Sequence, residues 1–365
     1  MTTLSPTSLP PTPPELTSAP NPPVSRRSLI SAMGLGAMGI GALGLGACAA
    51  SQRAGGSAPR SGRLLRIAHL TDSHVQPERT AEEGINQCLT HVHALADRPD
   101  VIVTGGDLIM DSFETTKARA DEQWKLLNGA FAAHKSIPVM HCLGNHDIWG
   151  WHKAKSSTSG NEPGWGKRYA IDMLGLPGWY YAQTHRGVKL IALDSVQTDG
   201  DDGYVGGLDD QQFEWLKGEL AATPRTQTVV IVTHIPIIHV SALLVDASLS
   251  REEGVKLGGG SMLMDARRVH NLLERYPNAR LVLTGHIHMT ERVEYAGITH
   301  INSGAVSGAW WRSQDKARQA RGADTAEGFA KPAPRSDPGY GLIDLYTNGS
   351  VDFTYQSYGR VNSST

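Results

Sequence analysis

From residue 64 onward, short continuous apolar runs alternate with longer stretches of helical period. The runs at 64–70 (LLRIAHL), 100–104 (DVIVT), 137–143 (IPVMHCL), 188–193 (VKLIAL), 228–233 (TVVIVT) and 280–284 (RLVLT) read as strands. Stretches 81–97, 114–134, 209–222 and 265–276 read as helices. Near the end, 291–296, 298–302, 340–345 and 351–355 read as short strands between turns. Strands that are apolar on both faces need cover on both faces, so the pattern predicts an α/β fold of sheets flanked by helices. Two segments interrupt the rhythm. Residues 149–187 hold Trp149, Trp151, Trp165 and Trp179 among many Gly and Ser, and 312–338 is polar and reads as a mobile loop.

The first sixty residues follow another pattern. Residues 1–24 form a Pro/Ser/Thr tract with eight Pro, too poor in apolar surface to offset chain entropy, and are expected to be disordered. Arg26-Arg27 then precedes an uncharged stretch, 29–47, with six Gly, which ends Leu45-Gly46-Ala47-Cys48. Twin Arg, a weakly apolar run and small terminal residues resemble a twin-arginine export signal. The last four residues resemble a lipobox, with Cys48 as a lipid anchor; Ala47-Cys48-Ala49 equally fits plain cleavage. Recognition by the twin-arginine translocation machinery and a periplasmic or cell-envelope location are the expectation. The organisation expected is a leader, signal and linker over 1–60, a catalytic domain over 61–310 with a Trp-rich insertion at 149–187, and over 311–365 a mobile loop followed by strands that complete a sheet.

Composition narrows the classes. The chain has 365 residues, and 36 Asp+Glu against 34 Lys+Arg give a net charge of −2, which argues against a partner held by phosphate-backbone charge, so no nucleic-acid binding is expected. Three Cys are too few for a disulfide framework; Cys88 and Cys142 fall in apolar runs and read as buried thiols.

Polar residues directly after the strands carry the chemistry. Asp72 and His74 follow the first as Asp-Ser-His, and Asp107 follows the second as Gly-Gly-Asp. Asn145, His146 and Asp147 follow the third as Gly-Asn-His-Asp, His234 follows TVVIVT, and His286 and His288 follow RLVLT as Gly-His-Ile-His. Sites in open α/β sheets form outside the carboxyl ends of strands. Residues two apart in extended chain point to one side, so Asp72/His74 and His286/His288 can each offer two donors to one small volume. Carboxylate, imidazole and amide donors suit divalent first-row metals such as Mn, Fe or Zn. Seven donors exceed the needs of one tetrahedral ion, and two ions sharing Asp107 would use them all. Paired ions are a recurrent solution for phosphate ester cleavage: they offset phosphate charge and lower the pKa of a bridging water, so that hydroxide can attack phosphorus in line.

The order D-x-H, G-D, G-N-H-D, H, G-H-x-H over about 64–302 resembles the calcineurin-like metallophosphoesterase superfamily, nearest its class III cyclic nucleotide phosphodiesterase branch. That resemblance implies a four-layer α-β-β-α sandwich of two mixed β-sheets flanked by helices. It implies one metal held by Asp72, His74, Asp107 and His288, and a second by Asp107, Asn145, His234 and His286. His146 would assist the leaving group, oriented by Asp147, whose charge would favour the imidazolium. Purple acid phosphatases carry a Tyr three residues after the bridging Asp; here Met110 stands there, so no tyrosinate-bound ferric ion is implied. The expected activity is metal-dependent hydrolysis of a small-molecule phosphate mono- or diester. The alternative is a catalytically silent binding or cell-envelope interaction protein on the same scaffold.

Other residues carry weaker signals. His69 and His141 lie within strands and read as core histidines, Asp194-Ser195 as a turn cap. For the Trp residues of 149–179 and for Trp310 and Trp311, stacking on a ring and packing against the body both remain open.

Overall fold

The computed structural model describes residues 62–200, 202–245, 248–250, 254–312 and 337–359. The twin Arg at 26–27, Cys48 and most of the polar stretch 312–338 lie outside the described residues. In chain order the elements are β1 (Arg63–Leu70), α1 (Ala81–Ala94), β2 (Val101–Gly105), α2 (Lys117–Ala133), β3 (Val139–Cys142) and a 3-10 turn (Asn145–Asp147). Two helices, α3 (Lys153–Ser156) and α4 (Lys167–Leu174), precede the pair β4 (Tyr181–His185) and β5 (Val188–Ala192) and the hairpin β6 (Val196–Asp199)–β7 (Gly203–Gly206). There follow α5 (Asp210–Ala222), β8 (Val229–Val232), α6 (Ala242–Val245), the hairpin β9 (Ser248–Ser250)–β10 (Gly254–Lys256) and α7 (Ala266–Glu274). The chain then forms β11 (Ala279–Thr284), β12 (Thr290–Tyr295), β13 (Ile298–Ser303), β14 (Gly339–Tyr346) and β15 (Val351–Ser357).

Two mixed sheets result. The first has the order β15-β14-β1-β2-β3, with β1, β2 and β3 parallel and β14 antiparallel to β1. The second has the order β12-β13-β11-β8-β5-β4, with four central parallel strands and antiparallel edges. Alternation along each strand sorts side chains between two layers. From the first sheet Leu65, Ile67, Val101, Val103, Met140 and Cys142 point inward, and they share one core with Leu190, Val230, Val232, Leu281 and Leu283 of the second. The opposite faces are covered by α1 and α2 on one side, through Ile85, Leu89, Trp124 and Leu127. On the other side α5 and α7 cover them through Leu216, Leu220, Val269 and Leu273. Each such side chain contributes roughly 1.5–3 kcal/mol when removed from water, so the sandwich rests on its three apolar layers. Cys88 and Cys142 are buried free thiols.

Helix ends obey local rules. Thr116 caps α2, and the Asp209 carboxylate accepts from the Gln212 N–H at 2.7 Å to cap α5. The stretch 149–187 is more ordered than a Gly/Ser-rich loop would be. Trp149 and Trp151 are buried, α3 and α4 lie within it, and its last strand, β4, is an edge of the second sheet. Its Lys167 forms a buried ion pair with Asp194 at 2.5 Å, which ties α4 to the turn after β5. The strands after residue 338 join the first sheet beside β1. No helix among the described residues is long and apolar enough to cross a membrane.

Candidate active site

The parallel strands β1, β2, β3, β8 and β11 end on one side of the sandwich, and each ends in a turn that carries polar side chains. The turns are knitted by backbone bonds. Asp72 N–H donates to Gly106 O, His74 N–H to Asp107 O, and Gly285 N–H to His234 O, all at 3.0 Å. Asp72, His74, Asp107, His286 and His288 all have positive φ, between 42° and 74°. The extended geometry expected for Asp-x-His and His-x-His is therefore replaced by left-handed turns. A non-glycine residue holds such a conformation only when its surroundings compensate the strain, and here the inter-turn bonds supply that compensation. Glycine is required where the turns meet. A Cβ on Gly144 would lie 2.2 Å from Asp107 Oδ1, and one on Gly285 would lie 2.0 Å from Thr71 Oγ1 and 2.7 Å from Asp72 Oδ2.

All seven expected donor residues converge. In one half, His288 Nε2 lies 3.3 Å from Asp72 Oδ1 and 3.0 Å from His74 Nε2, which is 3.7 Å from Asp107 Oδ2. In the other half, His234 Nε2 lies 3.2 Å from Asp107 Oδ2, 3.1 Å from Asn145 Oδ1 and 3.2 Å from His286 Nδ1. Asp107 faces both halves. His146 Nε2 lies 4.0 Å from Asp107 Oδ2, and its ring meets His74 edge-on with centroids 4.8 Å apart.

The donor set fits cations. His234 Nδ1 sits 2.8 Å from Gly105 O, and His288 Nδ1 sits 2.7 Å from Gly308 O. Each of those nitrogens donates to its carbonyl, which leaves Nε2 of both rings aimed at the carboxylates. Burial, with the neighbouring His146 and His288, holds His74 well below the usual histidine range despite its carboxylate neighbours, so its ring is neutral. Lone pairs and carboxylates are thus packed within 3–4 Å of each other. Burial would raise the Asp107 carboxyl, yet His234, His146 and His74 hold it well below the ordinary range. Burial opposes a charge on His234, yet Asp107 and Asp72 push it up to about 9. The carboxylates favour charge on His234, while burial keeps His74 and, at about 3, His286 neutral; anionic and neutral donors together suit a cation site.

Asp147 departs from expectation. Its Oδ1 accepts from the N–H of Leu108 at 2.8 Å and of Ile109 at 3.3 Å, and its Oδ2 from the N–H of Gly144 at 2.8 Å. Its bonds thus clamp the turn after β2 to the turn after β3 and do not orient His146. Burial and the Asp107 charge push its carboxyl up to about 7. His146 is positioned otherwise: its N–H donates to Asp107 Oδ1 at 2.9 Å, and its carbonyl accepts from the Ser112 N–H and hydroxyl. Ser195 does more than cap a turn, since its Oγ accepts from Ile235 N–H at 2.9 Å and steadies the residue after His234. His239 is buried against Ser241. The core readings of His69 and His141 agree with their partners, Ser303 and Thr104.

Segment 303–312 supplies positioning groups that pattern reading missed. Ser307 donates to Asp72 O from its hydroxyl at 2.7 Å, and Val306 N–H donates to Thr71 O at 2.9 Å. Trp311 Nε1–H is shared between Ser73 O and His74 O at 3.0 Å each, with the ring packed on Gly84 of α1. The available signal was the small-residue run from Ser303 to Ala309, which allows close backbone approach.

A strand-end cluster of this kind, on a sandwich of two mixed sheets, defines a metal-dependent hydrolase. Residues 65–290 match the profile of the calcineurin-like phosphoesterases, and the chain belongs to that family. Members use a dinuclear metal centre, and this chain is a dinuclear metal-dependent phosphoric ester hydrolase. It is 24% identical over 241 residues to a probable cyclic nucleotide phosphodiesterase of Rhodococcus erythropolis, covering 64% of this chain and 67% of that protein. It is 21% identical over 251 residues to the glycerophosphodiester phosphodiesterase GpdQ of Enterobacter lignolyticus, covering 64% and 75%. A dimetal phosphatase from Danio rerio shares the fold, with a TM-score of 0.52 at 13% identity over 83% of this chain and 100% of that one.

Proposed function

We propose that this chain is an exported phosphodiesterase for a small-molecule diester. The observation that carries the reading is the meeting of seven donor residues from five strand ends around one shared carboxylate, Asp107. Asp72, His74, Asp107 and His288 would hold one ion, and Asp107, Asn145, His234 and His286 the other, as Mn, Fe or Zn. When bound, such ions would neutralise phosphate charge and make water a stronger acid. The chain's own groups do the rest. Gly105 O and Gly308 O fix the His234 and His288 rings, so the donor atoms are set before substrate arrives. Partly buried at the edge of the pocket, with 29% of its side chain exposed, His146 is placed to deliver a proton from Nε2 to the departing alkoxide. Diester over monoester is supported by the two relatives, each named as a diesterase.

Release of nitrophenol from mono- and bis-nitrophenyl phosphate, with manganese and then after chelation, tests this. Turnover that needs metal and favours the diester is expected. Turnover that ignores the chelator, or none with any metal, overturns it. Export is supported by Arg26-Arg27 and the run up to Cys48. Cell fractionation of an Arg26→Lys, Arg27→Lys variant should leave the protein unexported; unchanged export refutes the twin-arginine route.

A further inference from the structure

Trp310 and Trp311 are adjacent, yet they do different things. Both have positive φ, 54° and 63°. Trp311 is buried, pinned by two carbonyls of the Asp72–His74 turn and packed on α1. Its role accounts for its own conformation. Trp310 is only half-buried, and its ring lies at the pocket, with its centroid 4.6 Å from the ring of His288 and 6.0 Å from that of His74. Its carbonyl accepts from Arg79 Nη1–H at 3.2 Å, which fixes the strained peptide from outside. Arg79 also has positive φ, 55°, and stands close enough to Arg312 for the two like charges to repel. An indole is therefore held at the lip of the pocket, half-buried against His288, with the Arg79 guanidinium bonded to its own carbonyl.

We infer that Trp310 is the specificity-determining residue of this site: it is the platform on which a planar ring of the substrate, an aryl or nucleoside group esterified to the phosphate, stacks. The geometry suits that ligand. With the phosphate held at the mouth of the donor cluster, a ring one ester link away would reach the indole, whose centroid lies 4.6 Å from that of the His288 ring. Base–aromatic stacking tolerates any planar ring, so the residue selects flat over aliphatic alcohols and not one base over another. Arg79, bonded to the Trp310 carbonyl, adds positive potential beside the platform. This inference rests on the phosphodiesterase reading.

The test uses the full chain loaded with manganese. Two diesters are compared, one with a nucleoside group and one with only glycerol and an alkyl group, in wild type, Trp310→Ala and Trp310→Phe. In Trp310→Ala the ratio of kcat/KM for the nucleoside ester to that for the glycerol ester should fall about tenfold, through KM and not kcat, and Trp310→Phe should restore most of it. An equal loss for both esters, or a loss confined to kcat, overturns the proposal. Binding is measured in parallel with adenosine monophosphate and inorganic phosphate as probes, following tryptophan fluorescence and calorimetry. A Trp310→Ala loss of affinity for the nucleotide alone supports the platform; equal losses for both probes overturn it. Should wild type hydrolyse neither ester, the phosphodiesterase reading falls while the binding arm still decides Trp310.

Discussion

The two halves of the site are held by different means. Around Asp72, His74 and His288 almost nothing is exposed, and segment 303–312 wraps the turns with bonds to Thr71, Asp72, Ser73 and His74. Around Asp107, Asn145, His234 and His286 the turns are held by Asp147, by Ser195 Oγ on Ile235 N–H and by Gly285 N–H on His234 O, and the rings of His286 and His146 remain part-exposed. The first half is an anchored floor. The second is the more open side, where His146 faces the leaving group, while half-buried Trp310 rims the first. A site built this way separates holding from reacting: the strained turns of both halves are tied to one another by backbone bonds, and the open side keeps the groups that must exchange protons.

Removing the residue common to both halves should have the largest effect. Asp107→Asn is expected to bring metal content below one ion per chain and to lower turnover by at least about a thousandfold, roughly 4 kcal/mol of barrier. Elemental analysis and diesterase assays check both. Retention of two ions would mean that the halves bind independently. His146→Ala should act on the open side alone. Turnover is expected to fall about a hundredfold, with metal content unchanged and the loss smallest for the best leaving groups. An equal loss for good and poor leaving groups would assign His146 to binding.

Gly285→Ala strikes the anchored half. The new Cβ would overlap Thr71 Oγ1, whose hydroxyl donates to Asp72 Oδ2 at 2.6 Å. A cost of about 1–3 kcal/mol in urea unfolding is expected, with loss of metal at the Asp72 side first. An unchanged midpoint would show that the anchored half yields more easily than its packing implies.

The strand-end donors were legible because their chemistry is local: an apolar run followed at once by Asp, His or Asn marks both the element and its carboxyl end. The strands and main helices were legible for the same reason, since periodicity reports burial; their division into two mixed sheets came only from the family resemblance. What was hidden is set by contacts distant in sequence. Left-handed Asp72 and Asp107 follow from bonds between turns some 35 residues apart. The role of Asp147 depends on the N–H groups of Leu108 and Ile109, and the anchoring by Ser307 and Trp311 on a segment more than 230 residues from the turn it grips. A Gly-Asn-His-Asp string shows that a turn carries donors, not which backbone its last carboxylate will hold.

The smallest effect at neutral pH, and the finest probe of the comparison, comes from titration. His69 lies under the anchored half, its Nδ1 2.8 Å from the Ser303 hydroxyl where the wrapping segment begins. Burial lowers it to about 3 despite the pull of Asp72. The unfolded chain protonates this histidine near pH 6.5 and the folded chain does not, so its contribution is present above pH 6.5 and drains away as pH falls toward 3. Asp147, in the open half, has the opposite sign. Its folded carboxyl titrates near 7, so between about 4 and 7 the folded chain binds the extra proton and acid favours folding there. In metal-stripped protein His69→Gln should therefore flatten the acid limb of stability against pH, the difference in slope amounting to about 3 kcal/mol between pH 6.5 and 4, with little change in slope above pH 7. Urea unfolding across that range measures it. Parallel curves for the variant and wild type would mean that the anchored half admits water to His69, and that its closure is looser than its burial implies.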